Sequence, residues 1–511
     1  MKVGIAVLLC LAFLLGSAVT QLVIGLYPAN VTTVWVNNPP LHEADYIIGV
    51  YNSTHYYAKN GTTGEIEFCG TNASQVIQQT INALGRPEGG IIFIKAGEYT
   101  LNSPISIANV NNMTIRGEGM GKTILKNAGI VKNDATPTYY LSIEDMTIDI
   151  NNVSARNCIN LASYTYYARI RNVEMKNTNN RFLLHWGSAV NLIVENCIFI
   201  DGGLGEGADN AAGSSYVENN ATTIFRNNLF IKTSASKGGG MLTTGSSGRI
   251  IIEGNTFIDE NDVSYAAVSL ENSFGYIEGA IVTNNYGIGH YMGISLGNSQ
   301  DNELNEVIVK GNNIAHLILF NVNHGTVQGN IIHDGKYGIH VKYSEKIIVD
   351  GNIIYNTNIF NSETNFDKGG IYAHEVKNIT ITSNIIFDNQ TTPTTPYGIR
   401  ISNTNYTLID ANSVSSKLGY QFVDAGGNGE IIFGENSFLT HNSGTATITS
   451  GTTSVTVNHG LTATPTAITV TPSENIGDVW VDSITSTSFT IHCETAPSSD
   501  VTVYWYAEYK P

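Results

Sequence analysis

Charge is scarce in this chain, and positive charge scarcest. Only 14% of its 511 residues are Asp, Glu, Lys or Arg, and 26 Lys and Arg stand against 43 Asp and Glu, a formal charge of -17. Nucleic-acid binding needs a basic face, so no nucleic-acid partner is expected. The same deficit admits a polyanionic glycan only where local basic residues or a cation gather. Cysteine is scarce too. Cys10 lies in the N-terminal apolar run, and Cys69, Cys158, Cys197 and Cys493 are far apart, with no metal-ligand spacing. Cys158 and Cys197 sit among apolar residues and read as core. No metal ligand set is assigned.

Met1-Lys2 followed by the apolar run Val3 to Leu15 reads as a signal peptide over residues 1–20. The alternative is an uncleaved anchor, for which the run is near the lower length limit. Either way the chain is expected to be secreted or held at the cell surface. Sequons such as Asn30, Asn52 and Asn60 fit export but arise easily in an Asn-rich chain.

Gly, Asn, Ile and Thr are abundant. Asn returns with the same neighbours, as in Asn227-Asn228-Leu229-Phe230, Asn255-Thr256-Phe257-Ile258, Asn352-Ile353-Ile354-Tyr355 and Asn384-Ile385-Ile386-Phe387. Successive copies, from Asn196 to Asn436, lie 18 to 32 residues apart, a solenoid period. Asn tolerates the left-handed backbone of a sharp corner, and stacked Asn amides can bond rung to rung. Short Ile- and Val-rich runs between these markers predict strands. A leucine-rich solenoid would want Leu at fixed positions.

Residues 21–64 read as an irregular leader. In 72–84, Val76, Ile77, Ile81 and Leu84 share a helical face, with Asn72 or Ser74 as N-cap. Then come Gly89-Gly90-Ile91-Ile92-Phe93-Ile94, Ala96-Gly97-Glu98-Tyr99 and Met113-Thr114-Ile115-Arg116-Gly117-Glu118-Gly119. This stretch resembles the start of pectate-lyase-like right-handed parallel β-helix proteins. The resemblance implies an all-β solenoid with an N-terminal capping helix over 65–442. It implies little about activity, because that superfamily holds lyases, hydrolases, epimerases and tail spikes without one shared active site. The Asn-Thr-Asp, Asp-Asp and Gly-His-Gly series of polygalacturonases is missing, as is the Asp-Pro-His-Asp of mannuronan epimerases. Over 443–511 the pattern switches to Thr, Ser and Val alternation, predicting a small C-terminal β-sandwich similar to modules on surface and fibre proteins. Its Trp480, Trp505, Tyr504 and Tyr506 could stack on a sugar or form core and rim.

The repeat supplies a register. Counting back 14 residues from Asn330, Asn352, Asn384 and Asn412 reaches His316, Gly338, Gly370 and Gly398. Each opens an apolar-alternating run. In those runs Ile339, Val341, Ile371, Ala373, Ile399 and Ile401 are expected inside, and the residues between them in solvent. His340, Tyr372 and Arg400 then form one outward column, and Lys342, His374 and Ser402 the next. Phe320 and Ile318 extend it as an apolar shelf, and Asp334, Lys336, Asp367 and Lys368 precede the strands. Elimination across a uronic acid needs a base for the C5 proton, a cation for the carboxylate and an acid for the leaving oxygen. His340, Tyr372, His374 and Arg400 are the candidate catalytic set. Lys336, Lys342, Asp334, Asp367, Lys368 and Phe320 are the candidate substrate contacts. Asp334 and Asp367 are the pair to test for hydrolysis, and His290-Tyr291 could join the same cleft. Asp201, Glu206 and Asp209, around the Gly-rich insertion 202–213, could take Ca²⁺. The expected partner is a polysaccharide, acted on by a lyase, epimerase or glycosidase. The competing readings are a glycan-binding adhesin and a fibre or envelope protein, for which a homotrimer would speak.

Overall fold

The computed structural model describes residues 44–509 apart from 53, 85–87, 133, 154–156, 163, 179, 187–189, 203–211, 215–221, 234–240, 245–247, 263–265, 271–276, 298–302, 360–368, 416–417, 419 and 438–440. The signal segment and most of the Gly-rich insertion therefore lie outside the described residues. The chain coils into turns of three short parallel strands. One face is a 13-stranded sheet, and the other two merge into a 28-stranded sheet. The merger occurs where Thr138–Asp149 and Thr165–Lys176 run unbroken round a corner. Strand alternation sends Ile, Val, Leu and Phe inward, and one continuous core fills the coil from Tyr46 to Phe422. Within it Phe199, Phe230 and Phe257 stack at 4.4 and 4.8 Å between ring centroids.

The Asn repeat builds one corner, by a division of labour between two adjacent residues. The left-handed bend falls on the residue before each inward Asn: Asn227 (φ 54°), Gly254 (φ 64°), Asn284 (φ 56°), Gly311 (φ 66°), Gly329 (φ 62°), Gly351 (φ 63°), Ser383 (φ 58°) and Ala411 (φ 55°). The next residue points inside. From Asn228 to Asn412 each Nδ2 donates to the Oδ1 of the Asn one turn on, Asn436 being the last acceptor, at 2.9–3.0 Å. Each backbone N–H from Asn228 to Asn412 donates to that same oxygen at 2.9–3.1 Å. The second Nδ2 proton goes to a main-chain carbonyl one turn back, Val327 O in the case of Asn352. Polar side chains at 0–2% exposure from Asn228 to Asn412 are thereby satisfied, which burial requires. Cys197 begins the column, its N–H donating to Asn228 Oδ1 at 2.9 Å. Burial pushes its thiol up to about 12.

The N-terminal end is closed by the helix Ala73–Ala83, capped by Asn72, whose side chain accepts from Gln75 N, with Val76, Ile77 and Ile81 buried. Within the stretch read as an irregular leader, the described residues form regular strands. Tyr46–Asn52 and His55–Asn60 form an antiparallel hairpin, and the first strand adds in parallel to Gly90–Ile94. Its alternation, with Tyr46, Ile48, Tyr56 and Ala58 buried, was hidden among Tyr and Asn. His441–Glu508 folds into two three-stranded antiparallel sheets around a core of its own. There Trp505 is inside, while Trp480, Tyr504 and Tyr506 are exposed.

Candidate functional site

The 13-stranded sheet carries the runs Leu317–Phe320, Ile339–Lys342, Ile371–His374 and Tyr397–Ser402 side by side. Ile318, His340, Tyr372 and Arg400 stand in one cross-strand column, and Phe320, Lys342, His374 and Ser402 in the next. The residues between them, such as Ile339, Val341, Ile371 and Ala373, are fully inside. Glycine opens three of these strands because the corner leaves no room: a Cβ at Gly370 would lie 2.4 Å from Ile386, and one at Gly398 2.3 Å from Val414.

Alternation led us to expect this column in solvent, and it is covered instead. His340 is 1% exposed, Tyr372 4% and Arg400 8%. Rungs about 4.8 Å apart force long side chains to lie on one another. Tyr337 covers His340 at 4.5 Å between centroids, and His340 meets Tyr372 edge-on at 5.6 Å. The Arg400 guanidinium lies 5.5 Å from the Tyr372 ring and 5.2 Å from Tyr397. Lys342 Nζ sits 5.6 Å from Tyr372, and Lys336 Nζ 4.9 Å from Tyr337. All fall within the ~6 Å range of cation–π attraction. Half-exposed above this layer are Phe320, Lys336, Tyr337, Lys342, Tyr343, His374, Tyr397 and Ser402. His374 Nδ1 is 3.0 Å from Ser402 Oγ, and its Nε2 is 3.5 Å from the Glu375 carboxylate. Its ring stacks on Tyr372 at 5.9 Å.

His316 closes the cluster from the preceding rung. Its ring lies against Gly293, where a Cβ would come within 2.5 Å of it, and meets Tyr337 edge-on at 5.8 Å. Burial, helped by the positive charge of Lys336, lowers its pKa to about 4, so the imidazole is neutral at physiological pH.

Asp334 is engaged elsewhere. His333 Nδ1 lies 2.9 Å from its carboxylate, and Asn356 Nδ2 donates to it at 3.0 Å. His290 turns to the same corner, with Nδ1 2.8 Å from Asp334 O, so it does not join the His340 column. Asp367 and Lys368 lie outside the described residues, as do Glu206 and Asp209. Tyr337 and Tyr397 were missed from sequence, although the repeated Tyr-Gly-Ile at 337–339 and 397–399 marks them. The repeat places both immediately before the strand-opening glycine.

A tailspike protein mutant of E. coli bacteriophage HK620, in complex with a pentasaccharide, superposes with a TM-score of 0.51 at 13% identity, over 86% of this chain and 90% of that one. The fold is a right-handed parallel β-helix. Looser similarities to β-helix proteins include the Pseudomonas phage phi297 tailspike gp61 (TM-score 0.45, 11% identity, 85% of this chain and 92% of that one). Another is the Azotobacter vinelandii mannuronan C-5 epimerase AlgE6 A-module (TM-score 0.42, 14% identity, 72% and 95%). A family profile described as periplasmic copper-binding protein (NosD) matches residues 277–483. No curated protein matches the chain. The described residues of this β-helix do not gather a His, Cys and carboxylate ligand set for copper. Among the described residues no three His, Cys, Asp or Glu side chains converge as ligands, and the Cys158, Cys197 and Cys493 thiols are buried.

Proposed function

We propose that the face over Leu317–Phe320, Ile339–Lys342, Ile371–His374 and Tyr397–Ser402 binds an acidic polysaccharide and removes the C5 proton of a uronic acid residue. The observation that carries this reading is the gathering of Lys336, Lys342 and Arg400 over tyrosine rings on neighbouring rungs, in a chain with few basic residues. Aromatic faces take sugar rings, and the cations take carboxylates. The pentasaccharide held by the HK620 tailspike mutant supports a saccharide as the ligand class. The apolar N-terminal run supports action outside the cytoplasm.

His374 is the half-exposed base. It takes the C5 proton, and the electron pair moves onto the uronate carboxylate, where Lys342 and Arg400 offset the added charge. For a lyase the pair then forms the C4–C5 double bond and expels the C4 oxygen, which receives a proton from Tyr372. For an epimerase Tyr372 instead delivers a proton to C5 from the opposite face of the sugar ring while His374 keeps the one it took, and no bond in the chain breaks. Tyr337 and Tyr397 shape the site around these groups. A second reading, binding without turnover, is favoured by one observation: His340, Tyr372 and Arg400 are nearly fully covered, and a reacting group must touch its substrate.

The test is a panel of acidic and neutral polysaccharides, with and without Ca²⁺, followed by absorbance of unsaturated uronate, reducing ends and C5 proton exchange into deuterated water. Unsaturation and reducing ends together, lost at least 100-fold in Tyr372→Phe and Arg400→Ala, fit the lyase. Deuterium uptake alone fits the epimerase. Reducing ends alone transfer attention to Asp334 and Asp367 as a glycosidase pair. Binding with none of these signals replaces catalysis by adhesion, and silence throughout removes the glycan reading.

A further inference from the structure

The face on the far side of the Asn corner is apolar on its outside as well as its inside. Its strands are Ile198–Ile200, Leu229–Lys232, Thr256–Asp259, Tyr286–Ile288, Asn313–Ile314, Ile331–His333, Ile353–Tyr355 and Ile385–Phe387, each paired in parallel with the next. Their outward side chains form two columns. One runs Ile198, Leu229, Thr256, Tyr286, Asn313, Ile331, Ile353, Ile385 and the other Ile200, Ile231, Ile258, Ile288, then His333, Tyr355, Phe387. No Asp, Glu, Lys or Arg interrupts either. Tyr286 is 43% exposed, Ile288 45%, Ile353 36% and Ile385 44%. His333, Tyr355 and Phe387 stack in a ribbon with 5.0–5.1 Å between centroids. Polar residues border the stripe on both sides: Asp201, Asp262 and Asp334 along one edge, and Arg226, Glu253, Lys310, Gln328 and Asp350 along the other. The face before the corner differs, because there an Ile column is flanked by that charged one.

Eight strands about 4.8 Å apart, with two columns about 7 Å apart, make a stripe on the order of 34 by 14 Å, or roughly 500 Å². Apolar patches of this size rimmed by polar groups mark interaction surfaces. A standard interface buries about 800 Å² per partner, about 65% of it apolar in homodimers. The stripe supplies about that apolar core, and its rims would supply the rest. We infer that this face seats a second copy of the same chain. A flat, periodic row of Ile is self-complementary, since each column meets an identical 4.8 Å repeat. With the two copies parallel about a two-fold axis, the edge with Asp201, Asp262 and Asp334 meets the mixed edge of Arg226, Glu253, Lys310, Gln328 and Asp350, so the apolar area rather than charge carries the assignment. An anionic lipid surface is disfavoured, because the borders carry more acid than base and the chain is acidic overall.

Sedimentation equilibrium of the full secreted protein from 0.5 to 50 µM (on the order of the range in which standard interfaces hold) tests the assignment against Ile353→Lys/Ile385→Lys. Circular dichroism melting checks that the variant stays folded; a second variant, Tyr286→Lys, is measured if it does not. The expected result is mass of a dimer or higher assembly for the wild-type chain, with at least a 100-fold weaker association constant in the variant. A wild-type monomer throughout overturns the inference, as does association that either folded Lys variant leaves unchanged. Monomers that co-float with neutral phosphatidylcholine vesicles would overturn it in favour of lipid. None of these outcomes depends on whether the face with His340, Tyr372 and Arg400 binds glycan.

Discussion

Replacing Asn352 with Ala removes four hydrogen bonds at once. Its Nδ2 donates to Val327 O at 3.0 Å and Asn384 Oδ1 at 2.9 Å, and its Oδ1 accepts from Asn330 N and Asn330 Nδ2, both at 2.9 Å. Asn352 is fully buried, so water does not take over. Asn384 Oδ1 keeps the Asn352 main-chain donor, and Val327 stays paired in the ladder with Val349, which leaves two protons of Asn330 stranded. At about 1–3 kcal/mol for each stranded group, the local loss is roughly 2–6 kcal/mol. The same substitution at Asn436 acts where the column ends in a half-exposed residue, and water limits the loss to about 1 kcal/mol. A solenoid need not unfold in one step, so the decisive readout is local. Amide exchange at Asn330 should accelerate at least about 30-fold in Asn352→Ala, the equivalent of about 2 kcal/mol. It should stay near wild type in Asn436→Ala. Equal losses under about 1 kcal/mol in both variants, with Asn330 still protected, would refute the view that the amide column holds the corner.

Ala411 and Ser383 take left-handed corners without being glycine. Ala411→Gly should therefore raise stability by about 0.5–1 kcal/mol, the left-handed strain relieved less the entropy Gly adds to the unfolded chain; an unchanged or lower denaturation midpoint counts against this. Burial pushes the Glu195 carboxyl up, but hydrogen bonds from Arg169 and Arg226 outweigh it and hold its pKa below the ordinary value. A depressed carboxylate stabilises the fold above its unfolded pKa, and this is lost as pH falls through the folded one. The melting temperature should drop below about pH 4.5, and less steeply in Glu195→Gln. His316, neutral when folded and with a pKa lowered to about 4, adds a loss in the same direction between about pH 6.5 and 4. His316→Phe should flatten that portion of the melting profile.

Much of the fold was legible because a β-helix writes its register into its spacing. The 14-residue step back from each Asn placed Gly338, Gly370 and Gly398 in one column, and with them His340, Tyr372 and Arg400. What alternation cannot convey is depth. It states on which side of the strand a residue leaves, while coverage depends on neighbours one rung away and on Tyr337, which the strand pattern does not include. The identity of the corner residue was blurred for a similar reason. Asn serves both the left-handed bend, as at Asn227 and Asn284, and the inward column, as at Asn228 and Asn285, so sequence alone did not separate the two roles. The hairpin at 46–60 escaped notice because its outward residues are Tyr, Asn and Lys.

The inward Asn column also acts as a ruler for the chain. Asn312 to Asn330 is 18 residues, so that length suffices to go once round all three faces. Asn352 to Asn384 takes 32, and the surplus falls between Tyr355 and Ile371, directly before the strand that carries Tyr372 and His374. A whole turn can be gained or lost without disturbing its neighbours if the bend and its Asn travel together, because each turn meets the next through the same bonds. Residues beyond the bare 18 are under no such obligation. Diversification of this molecule is therefore confined by geometry to the places where turns run long, and the longest of these measured turns adjoins the candidate site.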